Sequence, residues 1–270
     1  MIIGGKEFEL NKHTYIMGIL NVTPDSFSDG GTHNTIDSAL FHAEKMLKDG
    51  ADIIDVGGES TRPGYTVISD EEEIDRVLPV VEKIKSELGA IVSVDTYKVN
   101  VFKALLDAKI DMLNDIWGLT TDGMAEAAAS SNLPVCIMHN SKKMMVLDDA
   151  LKSNMYKDML GLIDNAIKAG VKRENIILDP GIGFNKDAKT NLAIIAADNF
   201  CMPKDYPVLL GTSRKSVIGA VLDLPANERV EGTLATTQLA VNERALFVRV
   251  HDVKENARFI KMAEAIRDAR

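Results

Sequence analysis

Short apolar runs alternate with helical periodicity along the whole chain, and each apolar run ends abruptly in a polar cluster. Eight runs that read as buried strands fall at residues 15–20, 53–56, 91–94, 111–113, 134–138, 176–178, 207–210 and 245–248. Between them the spacing predicts helices. One covers 35–48 and stops at Asp49 and Gly50. The next starts at Ser69, where Glu72 completes a capping box, and carries Ile74, Val77, Leu78, Val81, Ile84 and Leu88 as its apolar stripe. Others run through Val101, Leu105 and Ala108, from a cap at Asp122 to Ser131, up to Ala169 and Gly170, and over 192–197. Helical sequence then extends from Ser216 to Asn242 with a break near Pro225, and a last helix runs to Arg270. Residues 2–10 read as a small hairpin turning at Gly4 and Gly5.

Eight strands alternating with helices, with no linker rich in Pro or Ser, predict one α/β domain over 1–270, a (β/α)8 TIM barrel with a short N-terminal hairpin. A doubly wound open sheet is the alternative, but it gathers its ligand at one switch point. Here a polar cluster follows every strand, as a ring of loops on one barrel face requires.

Composition narrows the class. Of the 270 residues, 46% are hydrophobic, ample for a large core, yet no run approaches the length that spans a bilayer. The N-terminus lacks the basic and apolar regions of a signal peptide, and Cys136 and Cys201 show no metal-ligand spacing, so a reducing cytoplasm is expected. The net charge of −9 speaks against nucleic acid as partner, though not against a small anion, which responds to local field.

On a barrel the polar clusters converge at the C-terminal ends of the strands. Asp55, Asp95, Asn114, Asp115 and Asp179 supply carboxylates and an amide, suited to a flat nitrogen-rich ring with N–H donors. Arg62, Arg214, Lys215, Arg249 and His251 supply positive charge, suited to phosphate and carboxylate. Plainer readings stand beside these. Asp115 and Asp252 also read as helix N-caps, and the acidic run 70–73 as a favourable first helical turn. Trp117 and Met138 suit an ordinary core. The glycines of 181–183 lack the third glycine of a dinucleotide fingerprint, and 211–216 lacks the second glycine of a Walker loop. What remains there is a cationic loop opening a helix near Ser216, able to hold an anion. His13, His33 and His42 have no ligand spacing, so no protein-built metal cage is expected.

These motifs resemble the dihydropteroate synthases: MGILNVTPDSFSDGG at 17–31, IDVGGESTRPG at 54–64, SVDTYK at 93–98, NDI at 114–116, LDPGIGF at 178–184, GTSRKS at 211–216 and RVHDV at 249–253. The resemblance implies condensation of 6-hydroxymethyl-7,8-dihydropterin pyrophosphate with p-aminobenzoate in folate biosynthesis, with Mg2+, sulfonamide inhibition, and a homodimer paired through helices near the C-terminus. Carried onto this chain, it puts the pterin on Asp95, Asn114, Asp179 and Lys215, lined by Asp55, Met138, Phe184 and Gly211. The pyrophosphate falls on Asn21, Arg249 and His251, with Thr61 and Arg62 nearby and Asn21 toward the metal. The p-aminobenzoate falls on Ser216, Arg62, Pro63 and Phe27. Asp95, Asp179, Lys215, Arg249 and His251 would carry catalysis. One segment departs: after His139 many members carry Met-Gln-Gly and a Pro, where this chain has Asn140, Ser141, Lys142, Lys143, Met144 and Met145.

Two other readings share the barrel. A pterin-binding methyltransferase working with a corrinoid partner would have no use for the anion-handling Arg249, His251 and 212–216. A silent pterin-binding paralogue could discard the leaving-group residues that are intact here.

Overall fold

The computed structural model describes residues 1–23, 32–60, 66–141 and 143–269. β1 (Ile2–Ile3) and β2 (Lys6–Glu7) form the antiparallel hairpin, turning through Gly4 and Gly5 at φ 55° and 79°, a region that suits glycine. The strands that follow are β3 (Tyr15–Asn21), β4 (Ile53–Gly57), β5 (Val92–Asp95), β6 (Met112–Asp115), β7 (Val135–Met138), β8 (Ile176–Asp179), β9 (Leu209–Leu210) and β10 (Phe247–Val250). They lie in the order β8-β7-β6-β5-β4-β3-β10-β9, parallel throughout. A parallel bridge from Leu178 to Val208 and the bond from Leu178 N to Pro207 O at 2.9 Å join the ends, closing the expected barrel.

Period-two alternation then sorts every strand residue. Ile54, Val56, Val92, Val94, Leu113, Val135, Ile137, Ile176 and Leu178 point outward into one core shared with the helices. Met17, Ile53, Met112, Cys136, Ile177, Leu209 and Phe247 point inward and fill the lower barrel. The hairpin caps that end: the Phe8 ring centroid lies 4.8 Å from Tyr15 and 5.2 Å from Phe247. Each such side chain removed from water stabilises the plug by about 1.5–3 kcal/mol. One step further along the strands, the inward positions are Asp55, Ser93, Asp95, Asn114, Met138, Asp179 and Arg249. One end of the bore is apolar and sealed, and the other is charged.

The helices are α1 (Thr32–Asp49), α2 (Asp70–Lys83) with a π-turn over Ile84–Leu88, α3 (Val99–Leu106), α4 (Met124–Ser131), α5 (Leu151–Ala169), α6 (Ala188–Ile195), α7 (Ser216–Leu222), α8 (Val230–Asn242) and α9 (Val253–Asp268). Among the described residues none is long and apolar enough to cross a membrane. Ser69 Oγ accepts from Glu72 N at 3.1 Å, the expected cap, while the Glu72 carboxylate turns to Arg76. Asp122 does not cap α4; Gly123, at φ 76°, holds that place. α6 starts earlier than its apolar residues indicate, because Asp187 accepts from Thr190 N at 2.7 Å and caps a turn of polar side chains. Asp95, Asn114, Asp115, Asp179 and Arg249 are the last residues of their strands or lie inside them, not beyond them. Hydrophobicity ends a strand at its last apolar side chain, whereas the backbone ladder runs on to the rim.

Candidate active site

Asp55 is the hub of one side of the rim. Its Oδ2 accepts from Arg249 Nε at 2.6 Å and from Asn114 Nδ2 at 3.2 Å. Arg249 Nη2 donates to Asp95 Oδ2, also at 2.6 Å. One guanidinium thus bridges two carboxylates from β4 and β5, so Arg249 stands among the acidic groups, not apart from them as the division into a ring site and an anion site implies. Asp55 Oδ1 and Asp95 Oδ1 are buried with no hydrogen-bond partner among the described residues. Two buried acceptors left open at a strand rim await donors.

Asp179 and Lys215 form the other side. Gly211 sits between them: a Cβ there would lie 3.6 Å from Asp179 Oδ2, 3.8 Å from Lys215 Nζ and 3.9 Å from Arg249 Cβ. Asp179 Oδ1 accepts from Gly181 N at 2.7 Å, and Lys215 donates to Ile182 O with its ammonium 4.8 Å from the Phe184 ring centroid. Met138, buried, pairs with Asp179 across β7 and β8. Beneath this turn, Lys186 Nζ donates to His139 O (3.2 Å), Gly181 O (2.9 Å) and Phe184 O (3.1 Å), tying the loops after β7 and β8 together.

Asn21 borders the rim beside Gly57, which pairs with Asp95 in the ladder. A Cβ on Gly57 would meet Asp95 Cβ at 3.5 Å and Asn21 Oδ1 at 3.9 Å, so the missing side chain leaves room between those two groups. His251 follows Arg249 at the rim, its Nδ1 3.0 Å from Ser213 Oγ. Ser216 is exposed at the first residue of α7. Phe27, Thr61, Arg62 and Pro63 lie outside the described residues. Arg214 does not join Lys215: its Nε donates to Asp252 Oδ2 at 3.0 Å. That carboxylate is therefore spent on Arg214 and makes no side-chain cap on α9. Asp115 points outward and accepts from Trp117 N at 2.7 Å and Leu119 N at 3.0 Å, so it holds the turn after β6; it joins neither the ring site nor, with Gly123 at the cap of α4, a helix N-terminus.

Burial sets the electrostatics. It pushes the Asp95 carboxyl up to about 7; Arg249 opposes, and the neighbouring Asp55 adds to the rise. Asp179 is also raised by burial, against Lys215 and the Gly181 amide. Burial pulls Lys215 down to about 8 and Lys186 down to about 7, with Asp179 opposing in both cases. Burial would lower Arg249 too, but Asp55 and Asp95 outweigh it and keep the guanidinium charged.

Ser213 and Lys186 were missed in the sequence. Ser213 shares a hydroxyl-rich loop with nothing to distinguish it, and Lys186 follows a glycine turn whose carbonyls only the fold turns inward. Among the described residues no three His, Cys, Asp or Glu side chains gather as a metal cage. A cavity of about 230 Å³ beside His13, Asp52, Lys261 and Glu264 lies at the barrel's other end, and its carboxylates are engaged: Glu264 by His13 and Thr14 N, Asp52 by Lys6 and Ile16 N.

A closed parallel barrel presenting buried acceptors and paired cations on one rim defines the class: residues 17–251 match the model of the pterin binding enzymes. Within that class, a dihydropteroate synthase from Clostridium beijerinckii is 52% identical over 98% of this chain and 99% of its own, and the chain belongs to the dihydropteroate synthase family. A dihydropteroate synthase structure from Clostridium difficile, in the presence of pteroic acid, superposes with TM-score 0.91 at 48% identity, covering 96% of this chain and 99% of that one. One from Xanthomonas albilineans with 4-aminobenzoic acid gives TM-score 0.90 at 37% identity, over 95% of this chain and 94% of that one.

Proposed function

We propose that this chain condenses 6-hydroxymethyl-7,8-dihydropterin pyrophosphate with p-aminobenzoate to 7,8-dihydropteroate and pyrophosphate. The observation that carries the reading is the gathering of Asp95, Asn114 and Asp179 with Lys215 and Arg249 on one rim, with Asp95 Oδ1 buried and unpartnered among the described residues.

The ring N–H and amino donors fit the open oxygens of Asp95 and Asp179 and the amide of Asn114, with Met138, Phe184 and Gly211 as walls. Asp55 acts through others: it fixes the angle of Arg249 and of Asn114. The leaving group sits on a methylene conjugated to the ring, so the C–O bond can break first, its electron pair going to the diphosphate. Asp95 and Asp179 stabilise the positive charge left on the ring. Arg249, His251 and Asn21 stabilise the departing anion, each preorganised donor being worth about 3 kcal/mol in the barrier. The arylamine lone pair then forms the C–N bond, and its proton passes to solvent or to the pyrophosphate. Ser216, with Arg62, Pro63 and Phe27, receives the p-aminobenzoate; Thr61 adjoins the diphosphate.

Asn21 is the residue that would hold Mg2+, its amide oxygen facing the space above Gly57, with the substrate's phosphate oxygens as the other ligands and the ion supplying charge to the leaving group. Exposed Val221, Leu222, Met262 and Ile266 on α7 and α9 support a homodimer. Two unpaired, buried cysteines suit a cytoplasmic enzyme. The test is pyrophosphate release on mixing both substrates with Mg2+. Release that depends on both supports the reading; release from the pterin alone at the same rate, or none, refutes it.

A further inference from the structure

The pairing of β9 with β10 does not stop where the two strands end. Leu209 pairs with Phe247 and Leu210 with Val248, and stepping both chains on in that register puts Ser213 opposite His251. There the bond continues through a side chain. Ser213 Oγ accepts from His251 N at 3.1 Å, the role a backbone carbonyl fills within a sheet. The same oxygen lies 3.0 Å from His251 Nδ1, and Ser213 exposes only 5% of its surface.

The hydroxyl is held from both sides. Before it, Thr212 Oγ1 and Thr236 Oγ1 of α8 are 2.6 Å apart. After it, Arg214 N donates to Thr233 Oγ1 at 3.2 Å, and Arg214 O accepts from Arg229 Nη1 at 2.9 Å. Arg214 itself has φ 59°, a conformation that a residue with a side chain keeps only where its surroundings over-determine it. α8 thus grips the neighbours of Ser213, while β10 delivers the imidazole ring.

Proton accounting then assigns the ring. A buried hydroxyl has both an acceptor and a donor to satisfy. Ser213 Oγ accepts the His251 amide, so its own hydrogen needs an acceptor, and among the described residues that acceptor is Nδ1. Nδ1 accepts only as the bare nitrogen of a neutral imidazole, whose single proton then sits on Nε2. With the proton on Nδ1 instead, two groups would donate into one oxygen and the hydroxyl hydrogen would be left buried without a partner, which disfavours that form on the order of tenfold.

We infer that Ser213 is a positioning residue for the leaving group: it donates to His251 Nδ1, fixes the tautomer of the ring, and makes Nε2 an N–H donor to the departing diphosphate. The inference rests on the proposed function for the identity of that anion. A ring able to exchange tautomers would part of the time offer a lone pair to phosphate oxygens that only accept. A donor fixed in advance needs no rearrangement as negative charge develops.

The experiment reads tautomer and binding separately. In nitrogen NMR of isotope-labelled wild type, His251 Nδ1 is expected to resonate as a bare ring nitrogen and Nε2 as a protonated one. In Ser213→Ala both signals should move toward the average of an exchanging ring, and in Ser213→Thr, which keeps the hydroxyl, they should stay near wild type. In calorimetry with pyrophosphate and Mg2+, Ser213→Ala is expected to lose about threefold to tenfold in affinity, with pterin affinity near wild type. Made in a His251→Ala background, it should cause no further loss. The amide bond to Ser213 disappears in either background, so a loss that came from the backbone alone would persist there. Such a persistent loss, or a proton on Nδ1 in wild type, overturns the inference. Should Ser213→Ala fail to fold, the wild-type tautomer alone decides. A wild type that releases no pyrophosphate from the two substrates would instead sink the functional reading, while the ring signals would still decide the pairing of Ser213 with His251.

Discussion

Arg249 Nε donates to Asp55 Oδ2 at 2.6 Å across the barrel mouth, and Asp55 has no exposed surface. A buried charge that loses its partner is left uncompensated, which typically costs about 3–5 kcal/mol. Asp55→Ala is therefore expected to lower stability by about that amount, and Asp55→Ala with Arg249→Met to recover most of it, both read from urea unfolding. In isothermal titration, Arg249→Ala should lose pyrophosphate affinity far more than pterin affinity. A double variant no more stable than Asp55→Ala would show that the pair's role in the fold is not electrostatic.

The pH dependence follows from two groups facing one ligand. Asp95, pushed up to about 7 by burial, accepts ring donors only when ionised, and Lys215, pulled down to about 8 by burial, is cationic only below that. The profile of kcat/KM for the pterin substrate should rise to near pH 7 and fall beyond pH 8. Asp95→Asn and Asp179→Asn are each expected to cost roughly 10²–10³ in rate and to lose pterin binding by calorimetry. Lys215→Met should remove the alkaline limb alone, and a limb that survives in it belongs to another group.

What could be read from the sequence followed from burial. Asp55 stands inside an apolar strand, which marks a carboxylate either satisfied in the core or aimed at a ligand, and it proves to be a hub for Arg249 and Asn114. Apolar counting over 245–248 leaves Arg249 beyond its strand, since a long cation there reads as the start of the rim loop; it lies inside β10 with its side chain turned inward. Glu73 could not be told apart from the three acids before it, because only the packing of α2 against Lys98 makes one of the four face inward. The barrel itself was legible throughout, because nothing but a ring of loops explains a polar cluster after every strand.

Gly181 tests how tightly the loops after β7 and β8 fit. Its φ is +66°, and a Cβ there would lie 2.0 Å from His139 O, a backbone atom that cannot swing aside. Gly181→Ala is expected to destabilise by more than about 3 kcal/mol and to displace the amide that bonds Asp179. Thermal unfolding and pterin titration should fall together. Normal pterin affinity in a destabilised variant would separate the turn from the ring site.

Lys186 links that same turn to pH. Its folded pKa, near 7, is below the 10.5 of an unfolded lysine. Between those values the unfolded chain binds the extra proton, so the contribution of Lys186 to stability rises with pH from about 7 to about 10.5 and is absent below, with a slope of at most about 1.4 kcal/mol per pH unit. Lys186→Met removes the donor to three carbonyls and cannot titrate. The stability difference between wild type and this variant should therefore grow from pH 7 to pH 10, measured by urea unfolding at several pH values. Asp95 and Asp115, both raised to about 7 by burial, act with the opposite sign, their stabilisation being lost as pH climbs from about 4 to 7. Around pH 7.5 the rim therefore carries the charges its chemistry needs at the greatest cost to the fold, and bound ligand should raise the melting temperature most there. A wild-type minus Lys186→Met difference that is flat with pH would mean the ammonium keeps its ordinary pKa despite burial.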